Sequence, residues 1–557
     1  MSSVSPISPP HTLANLLYAI VFALLILGPA TAAFWHRDGD WGEIGEKWNA
    51  IAERSLGEAF DLEKFRREFE ALFGKYFGFR TELVRMNALA TIGLFGESPA
   101  KAVVIGREGW LFYALPGQMD DFRGLRPFDE DELDLWAAAL ESRREYLAER
   151  GIAYLFVIAP NKHVIYPELL PEKFNRLSSE THTDALLATL DARQSTVEVL
   201  DLHPSQTRAR EEATAYYPLD THWNYFGAYH GYLAIMKRLE KLLPGTRALE
   251  PDRFAWEEDW NAMYGLNEHM GILGKPEQKI PYRKYVIRNP TASFVMEQPD
   301  GIPELPGVTY GIELQHTYRI THSSGEKPRA LVFRDSFSIA LVPLLAEHFS
   351  EMVLVWEEFD PELFERAVDV FKPDIVIEER LDRFLQHRPP MTADISGRRF
   401  RAAFEGAEEV ALEIDGSRGV RRFKKGAVVL EITENGTRLV PTSKAARIDL
   451  PQVELKKGEV ALLKMSLSRR TATTGRLEWR VSMKKTRERE TEGLDIWIPE
   501  GESDLYLAIP AATSEGKVRF RFRPFSRDEM TVRHAEVRKT TEPVPQLGPE
   551  RVSPYAP

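Results

Sequence analysis

The chain has 557 residues and no cysteine, which removes disulfides, thiolate zinc sites and cysteine nucleophiles together. With 43% hydrophobic and 28% charged residues it has the composition of a folded globular protein, and its length predicts more than one domain. The formal charge is −12 and no basic stretch forms a nucleic-acid surface, so nucleic acid is not an expected partner.

The first element is "LLYAIVFALLILGPATAAF" (Leu16–Phe34), an uncharged run of nineteen residues that is long enough to cross a bilayer. It predicts an N-terminal transmembrane helix within 1–35, acting as signal anchor or signal peptide. "ATA" at Ala30–Ala32 resembles a cleavage site, whereas the first ten residues lack the usual Lys or Arg. The remainder is expected outside the cytoplasm. Residues 36–100 read as a helical lead-in, with Phe65, Phe69, Leu72 and Phe73 at helical spacing. "VVIGREGWLFY" (Val103–Tyr113) reads as a strand, a Gly-rich turn and an aromatic strand.

Over 101–395 the hydrophobic period alternates. "EDELDLWAAALESRREYLAERG" predicts an amphipathic helix ended by Gly151, and "IAYLFVIAP" a buried strand. "HTDALLATLDAR", "YFGAYHGYLAIMKRLEKLL", "SIALVPLLAEHF" and "DPELFERAVDVF" predict helices. "TVEVLDLHP", "RALVFRDSF", "EMVLVW" and "KPDIVIEE" predict strands. Such alternation implies an α/β domain with a parallel sheet covered on both faces, whose function gathers at the carboxyl ends of the strands. Residues 396–540 change to short alternating segments such as "EVALLKMSLS" and "KVRFRFRPF", the pattern of an antiparallel β-sandwich or jelly roll. The Pro-rich 541–557 reads as a disordered tail.

Two stretches carry chemistry. In "LVFRDSF" (Leu331–Phe337) a strand runs into Ser336 where a helix is expected to begin. That position presents a nucleophile beside helix N–H groups, and it is equally an ordinary place for an N-cap serine. In "YYPLDTHWNYFGAY" (Tyr216–Tyr229), Asp220 and His222 flank Thr221, an offset that points both side chains to one side of an extended segment. The inferred trio is Ser336 as nucleophile, His222 as general base and Asp220 fixing the imidazole tautomer. The bland readings of Asp-x-His are a turn that caps the helix near Asn224, or half a metal site. No second ligand pair at metal spacing stands out, so no metal and no cofactor are expected.

"DTHWNYFGAY" resembles the Asp-x-His-Trp segment of the alginate O-acetyltransferase-like proteins, a branch of the SGNH hydrolase superfamily. Other blocks agree in order: "FGFR" (Phe77–Arg80), "GREGWLFY" (Gly106–Tyr113), "VIAPNKHVIYPELLP" (Val157–Pro171), "FRDSF" and "KPDIVIEER". The resemblance covers residues 40–390 or so. It implies an SGNH-hydrolase-like, flavodoxin-like fold and carries the catalytic triad onto Asp220, His222 and Ser336, with the acid and imidazole preceding the serine in the chain. It departs from the general superfamily block at Arg334, which stands where a glycine precedes Asp-Ser.

The resemblance further implies acetyl transfer onto polysaccharide hydroxyls in the periplasm, with the protein anchored to the inner membrane and a membrane-bound O-acyltransferase delivering the acetyl group. Ser336 would accept acetyl as an ester, and a hydroxyl of the polysaccharide acceptor would then attack it. The triad alone leaves a carbohydrate acetylesterase equally open, and a non-catalytic scaffold of a polysaccharide assembly is a third reading. The Ser336 N–H is the expected oxyanion donor. Asn161, Lys162, Tyr166, Trp223 and Arg334 are candidates for the substrate side, against the plainer readings of a turn asparagine and a solvated lysine. The sandwich suits a carbohydrate-binding module with Trp479, Trp497 and Tyr506 as stacking rings, unless these fill its core. "KKTRERETE" (Lys484–Glu492) reads as a solvated hairpin.

Overall fold

The computed structural model describes residues 80–541 apart from short internal segments, of which 298–317 is the longest. The apolar run Leu16–Phe34, the helical pattern around Phe65–Phe73 and the tail 542–557 lie outside the described residues. Among the described residues no helix is long and apolar enough to cross a membrane. Contacts divide the chain into two compact units, Met1–Ala114 with Met263–Glu277, and Leu115–Ala262 with Gln278–Pro557.

In the first unit the helix Arg80–Phe95 precedes an antiparallel hairpin of β1 (Val103–Ile105) and β2 (Leu111–Tyr113). Its turn places Gly109 at φ 79°, a left-handed conformation that glycine adopts without a Cβ clash, and the Gly106 N–H donates to the Trp110 carbonyl at 2.7 Å. The expected strand, turn and aromatic strand are therefore one hairpin.

In the second unit the short helix Gln118–Arg123 precedes the helix Glu130–Ala148. Asp129 caps it, accepting from the Glu132 N–H while Glu132 reaches back to the Asp129 N–H. Gly151, at φ 69°, turns the chain out of the helix into β3 (Ala153–Ala159). The remaining strands in order are β4 (Val199–Asp201), β5 (Phe254–Asp259), β6 (Tyr282–Ile287), β7 (Ala292–Glu297), β8 (Tyr318–His322), β9 (Arg329–Arg334), β10 (Glu351–Trp356) and β11 (Ile375–Leu381). Seven form one sheet in the order β4-β3-β11-β9-β10-β8-β7, and β5 and β6 form a separate antiparallel hairpin.

The first five strands of that order pair in parallel, as the alternating period requires. β11 is buried along its whole length, and β3 at every residue but its first, the burial of strands covered on both faces. The sheet is not purely parallel: β8 pairs antiparallel with β10, and β7 antiparallel with β8. One face of the sheet packs Phe156 and Ile158 of β3 and Leu331 and Phe333 of β9 against Trp136 and Leu140 of the helix Glu130–Ala148 and Phe364 and Val368 of the helix Pro361–Phe371. Each such side chain contributes about 1.5–3 kcal/mol on burial.

Beyond β9 the expected single helix is broken. Ser336–Ala340 is a 3₁₀ turn and Val342–Ala346 a separate short α-helix. Pro343 is the cause: it lacks an N–H, so it is tolerated in the first turn of a helix and interrupts a longer one.

Residues from Arg398 onward build two antiparallel sheets that share a second core. In one, Val460–Arg469 lies between Met530–Thr540 and Gly501–Ile509; in the other, Thr473–Met483 lies between Gly516–Pro524 and Arg489–Ile498. The helix Arg398–Gly406 adds Phe400 and Phe404 to this core. Tyr506 is buried there edge-on to Phe404 at 5.6 Å, so it fills the core and does not present a stacking ring. The side chains of Trp479 and Trp497 and the segment 484–488 lie outside the described residues.

Candidate active site

Ser336 stands at the carboxyl end of β9, which lies between β11 and β10 in the sheet. Its turn is fixed from within and from the neighbouring strand. The Asp335 carboxylate accepts from the Phe337 N–H at 2.8 Å and, across the sheet, from the Leu381 N–H at 3.1 Å. Glu379 of β11 accepts from the Asp335 N–H at 3.2 Å and from the Ser338 hydroxyl at 2.8 Å. Burial, then the adjacent Asp335 charge, pushes the Glu379 carboxyl well above its ordinary range. Ser336 is thus neither buried nor the N-cap; Asp335 does the capping and leaves the serine hydroxyl for other work.

The Asp220–His222 loop follows the helix His203–Glu212 and precedes the helix Tyr225–Leu242. Asn224 caps the second helix, accepting from the Phe226 and Gly227 N–H groups at 3.0 and 3.1 Å. A glycine is needed at 227, because a Cβ there would stand 2.4 Å from the Ala215 carbonyl oxygen. With its C-terminal end so fixed, the loop folds back: a bridge pairs Tyr216 with Trp223, and the Tyr217 N–H donates to the His222 carbonyl at 3.1 Å.

Ser336 meets the distant Asp220–His222 pair. His222 Nε2 lies 2.6 Å from Ser336 Oγ, and His222 Nδ1 lies 2.6 Å from Asp220 Oδ1, which also accepts from the His222 N–H at 3.0 Å. This pairing assigns the ring proton to Nδ1, facing the carboxylate, and leaves Nε2 to accept from the serine. Asp220 is buried, whereas His222 and Ser336 keep partial exposure. Burial works to raise the Asp220 carboxyl, but His222 and the Lys162 ammonium outweigh it and hold the group below the usual carboxylate range. A carboxylate against Nδ1, an Nε2 placed to accept and a hydroxyl within hydrogen-bond reach of it can together make an alkoxide-like nucleophile.

The five residues expected on the substrate side are all between 1% and 7% exposed. Trp223 donates from Nε1 to the Phe337 carbonyl at 3.0 Å and packs edge-on to the Phe337 ring, bracing the imidazole loop against the serine turn. Tyr166 accepts from the Ala215 N–H at 2.9 Å, with the Arg210 guanidinium over its ring. Arg334 closes β9 with its guanidinium 4.5 Å from the Trp356 ring centre, so the departure from glycine is absorbed within the sheet's packing.

Asn161 is bonded through its backbone and side chain to Asp382, and its Oδ1 accepts from Arg383 at 3.3 Å. With His163, His182, Asp121 and Asp382 it lines a polar cavity of about 140 Å³. Lys162 donates to the carbonyls of Tyr217, Pro218 and Asp220. Each of the five has protein partners in addition to its burial.

Sequence reasoning did not find Glu379 or Arg383. Arg383 donates weakly toward Thr221 Oγ1 at 3.4 Å, reaching the loop between the acid and the imidazole. The available signal was "VIEER", where charged residues interrupt an apolar strand at its carboxyl end, beside the serine strand.

Residues 103–297 match the family model of the SGNH hydrolase-like domain of the acetyltransferase AlgX. A protein of Pseudomonas aeruginosa described as "Probable alginate O-acetylase AlgJ" is 30% identical over 166 residues, which is 30% of this chain and 40% of that protein. The match therefore spans less than half the length of this relative. Similar solved structures include the O-acetyltransferase domain of Pseudomonas putida AlgJ (21% identity, 53% of this chain and 95% of that one, TM-score 0.33). They also include Pseudomonas aeruginosa AlgX (14% identity, 79% and 94%, TM-score 0.36). Residues 103–297 are thus similar to the SGNH hydrolase-like domain of AlgX, and part of the chain is similar to AlgJ.

Proposed function

We propose that the chain is an O-acetyltransferase that moves acetyl groups through Ser336 onto hydroxyls of an exported or cell-envelope polysaccharide. The observation that carries this reading is the relay from Asp220 through both ring nitrogens of His222 to Ser336, with both links at 2.6 Å. The acetyl and polysaccharide parts lean on the AlgX/AlgJ kinship of the domain.

In the first half-reaction Ser336 Oγ attacks the donor's acetyl carbonyl carbon while its proton passes to His222 Nε2. The donor oxygen then leaves with that proton, and acetyl remains as an ester on Ser336. In the second, a sugar hydroxyl gives its proton to Nε2 as its oxygen attacks the ester, and Ser336 leaves with that proton. Asp220 holds the Nδ1 proton throughout and stabilises the imidazolium formed in each half. The Ser336 N–H, at the start of its 3₁₀ turn, is the candidate donor to the oxyanion. The apolar run Leu16–Phe34 favours an anchored protein facing the periplasm, with a membrane-bound O-acyltransferase supplying the acetyl group and the sandwich holding the glycan chain.

The test is to incubate the full chain with an activated aryl acetate, with and without a polysaccharide, and follow acetate and acetylated glycan. Transfer predicts that the glycan captures acetyl at the expense of free acetate. Free acetate alone, at a rate indifferent to glycan, would replace the transferase by a carbohydrate acetylesterase. No turnover and no adduct would favour a scaffold.

A further inference from the structure

The loop that carries Asp220 and His222 has no helix or strand of its own. It is closed by its bridge to Trp223 and by two backbone bonds, Tyr217 N–H to the His222 carbonyl and Asp220 N–H to the Tyr217 carbonyl at 3.4 Å. That fold turns three carbonyls of one short segment toward a single point. At the point sits Lys162 Nζ, 3.0 Å from the Tyr217 oxygen, 3.0 Å from the Pro218 oxygen and 2.5 Å from the Asp220 oxygen. Lys162 is 2% exposed and opens the short helix Lys162–Ile165 that follows β3. The same strand end takes hold of the loop again through the Tyr216 hydroxyl, which donates to the Pro160 carbonyl at 2.7 Å.

Converging carbonyl oxygens repel one another unless a donor neutralises them, and an ammonium has three N–H groups for three acceptors. We propose that Lys162 is the positioning residue of the site: its ammonium gathers the three carbonyls, sets Asp220 and His222 in line with Ser336, and ties their presentation to its own protonation. This rests on the triad reading above. Lys162 acts through the loop, whose carbonyls it bonds. A neutral amine offers two N–H donors to three oxygens, so loss of the proton frees one corner of the turn.

Burial lowers Lys162 to about 7, against the pull of the Asp220 carboxylate. The groups around it are Asp220 and Tyr217 on the loop and His163 beside it; Arg383 faces His163, and Asp382 of the same turn, Asp382–Gln386, accepts from the adjacent Asn161 N–H. Burial drives His163 down to about 3 and the Tyr217 phenol up. Burial also raises Asp382 to about 7, so it is the second group here that changes charge near neutrality.

Two measurements on the full chain decide the matter. Hydrogen–deuterium exchange of peptides spanning 214–224, corrected for intrinsic rate, should quicken as pH rises from 6.5 to 9 in wild type and in Asp382→Asn. In Lys162→Met it should be fast at both. The rate of phenol release from an aryl acetate should fall above about pH 7 in wild type. Lys162→Met should lower kcat by about 10²-fold at pH 6.5 with KM unchanged and should lose the alkaline fall. Wild-type exchange that is flat with pH overturns the proposal without any variant. So does an alkaline fall that survives in Lys162→Met and vanishes in Asp382→Asn. If wild type never acylates, the triad reading fails by itself, and the exchange measurement still decides whether Lys162 holds the loop.

Discussion

The turn that carries Ser336 and the loop that carries Asp220 and His222 are held in different ways. The serine turn is a strand end whose own neighbour, Asp335, caps it, and which the adjacent strand β11 bonds through Glu379 and the Leu381 N–H. The imidazole loop is irregular and borrows its shape from β3 through Pro160 and Lys162, and from the serine turn through Trp223. The nucleophile is therefore set by the sheet, and its base by long-range contacts to the sheet. Damage to the first should abolish chemistry or folding, whereas damage to the second should leave a folded protein with a misplaced base.

The largest effects should come from the triad itself. Ser336→Ala and His222→Ala should each lower the rate by about 10⁴-fold or more, and the double variant should lose little beyond either, because the residues act as a unit. Asp220→Asn should cost somewhat less, through the wrong tautomer rather than loss of the base. Initial rates with an aryl acetate measure all four, and additive losses would break the assignment.

Phe404→Ala probes a region outside the comparison. It opens the sandwich core and should cost about 3–5 kcal/mol of stability in urea unfolding. The phenol-release rate of the folded fraction should stay at the wild-type value; a matching loss of rate would tie the sandwich to the serine turn.

Trp223→Phe tests the brace between the two segments. It keeps a ring against Phe337 and removes one hydrogen bond, so the loss should be about 1 kcal/mol, read as a several-fold fall in kcat with KM unchanged. An unaltered kcat would mean the loop does not depend on the serine turn.

The smallest effect concerns Glu379. Its carboxyl is held protonated in the native state and ionises at its ordinary range once unfolded, so the native chain binds the extra proton and this group's contribution to stability falls as pH rises. Glu379→Gln mimics the protonated form. Its urea midpoint should match wild type near pH 5 and drop less steeply by pH 8. A steeper drop in the variant would contradict a neutral Glu379.

The serine side was largely legible in the sequence. An apolar run, Asp-Ser and a helix signal place Ser336 at a strand end, and only Pro343 changes the expected helix into a 3₁₀ turn and a short helix. Asp-x-His was legible as a pair because a two-residue offset constrains both side chains at once. The burial and partners of Asn161, Lys162, Tyr166 and Trp223 were not, because these are properties of the folded chain. The antiparallel strands β7 and β8 were also missed; "ASFVME" and "YRITH" are too short and mixed to announce a sheet edge.

The most direct test of the account is intact-mass analysis of the full chain after brief exposure to an activated acetyl ester, followed by peptide mapping. The account predicts one added acetyl group on the peptide containing Ser336, absent from Ser336→Ala and discharged when a polysaccharide acceptor is added. An equal adduct on Ser336→Ala, or an acetyl group mapped to another residue, would contradict it.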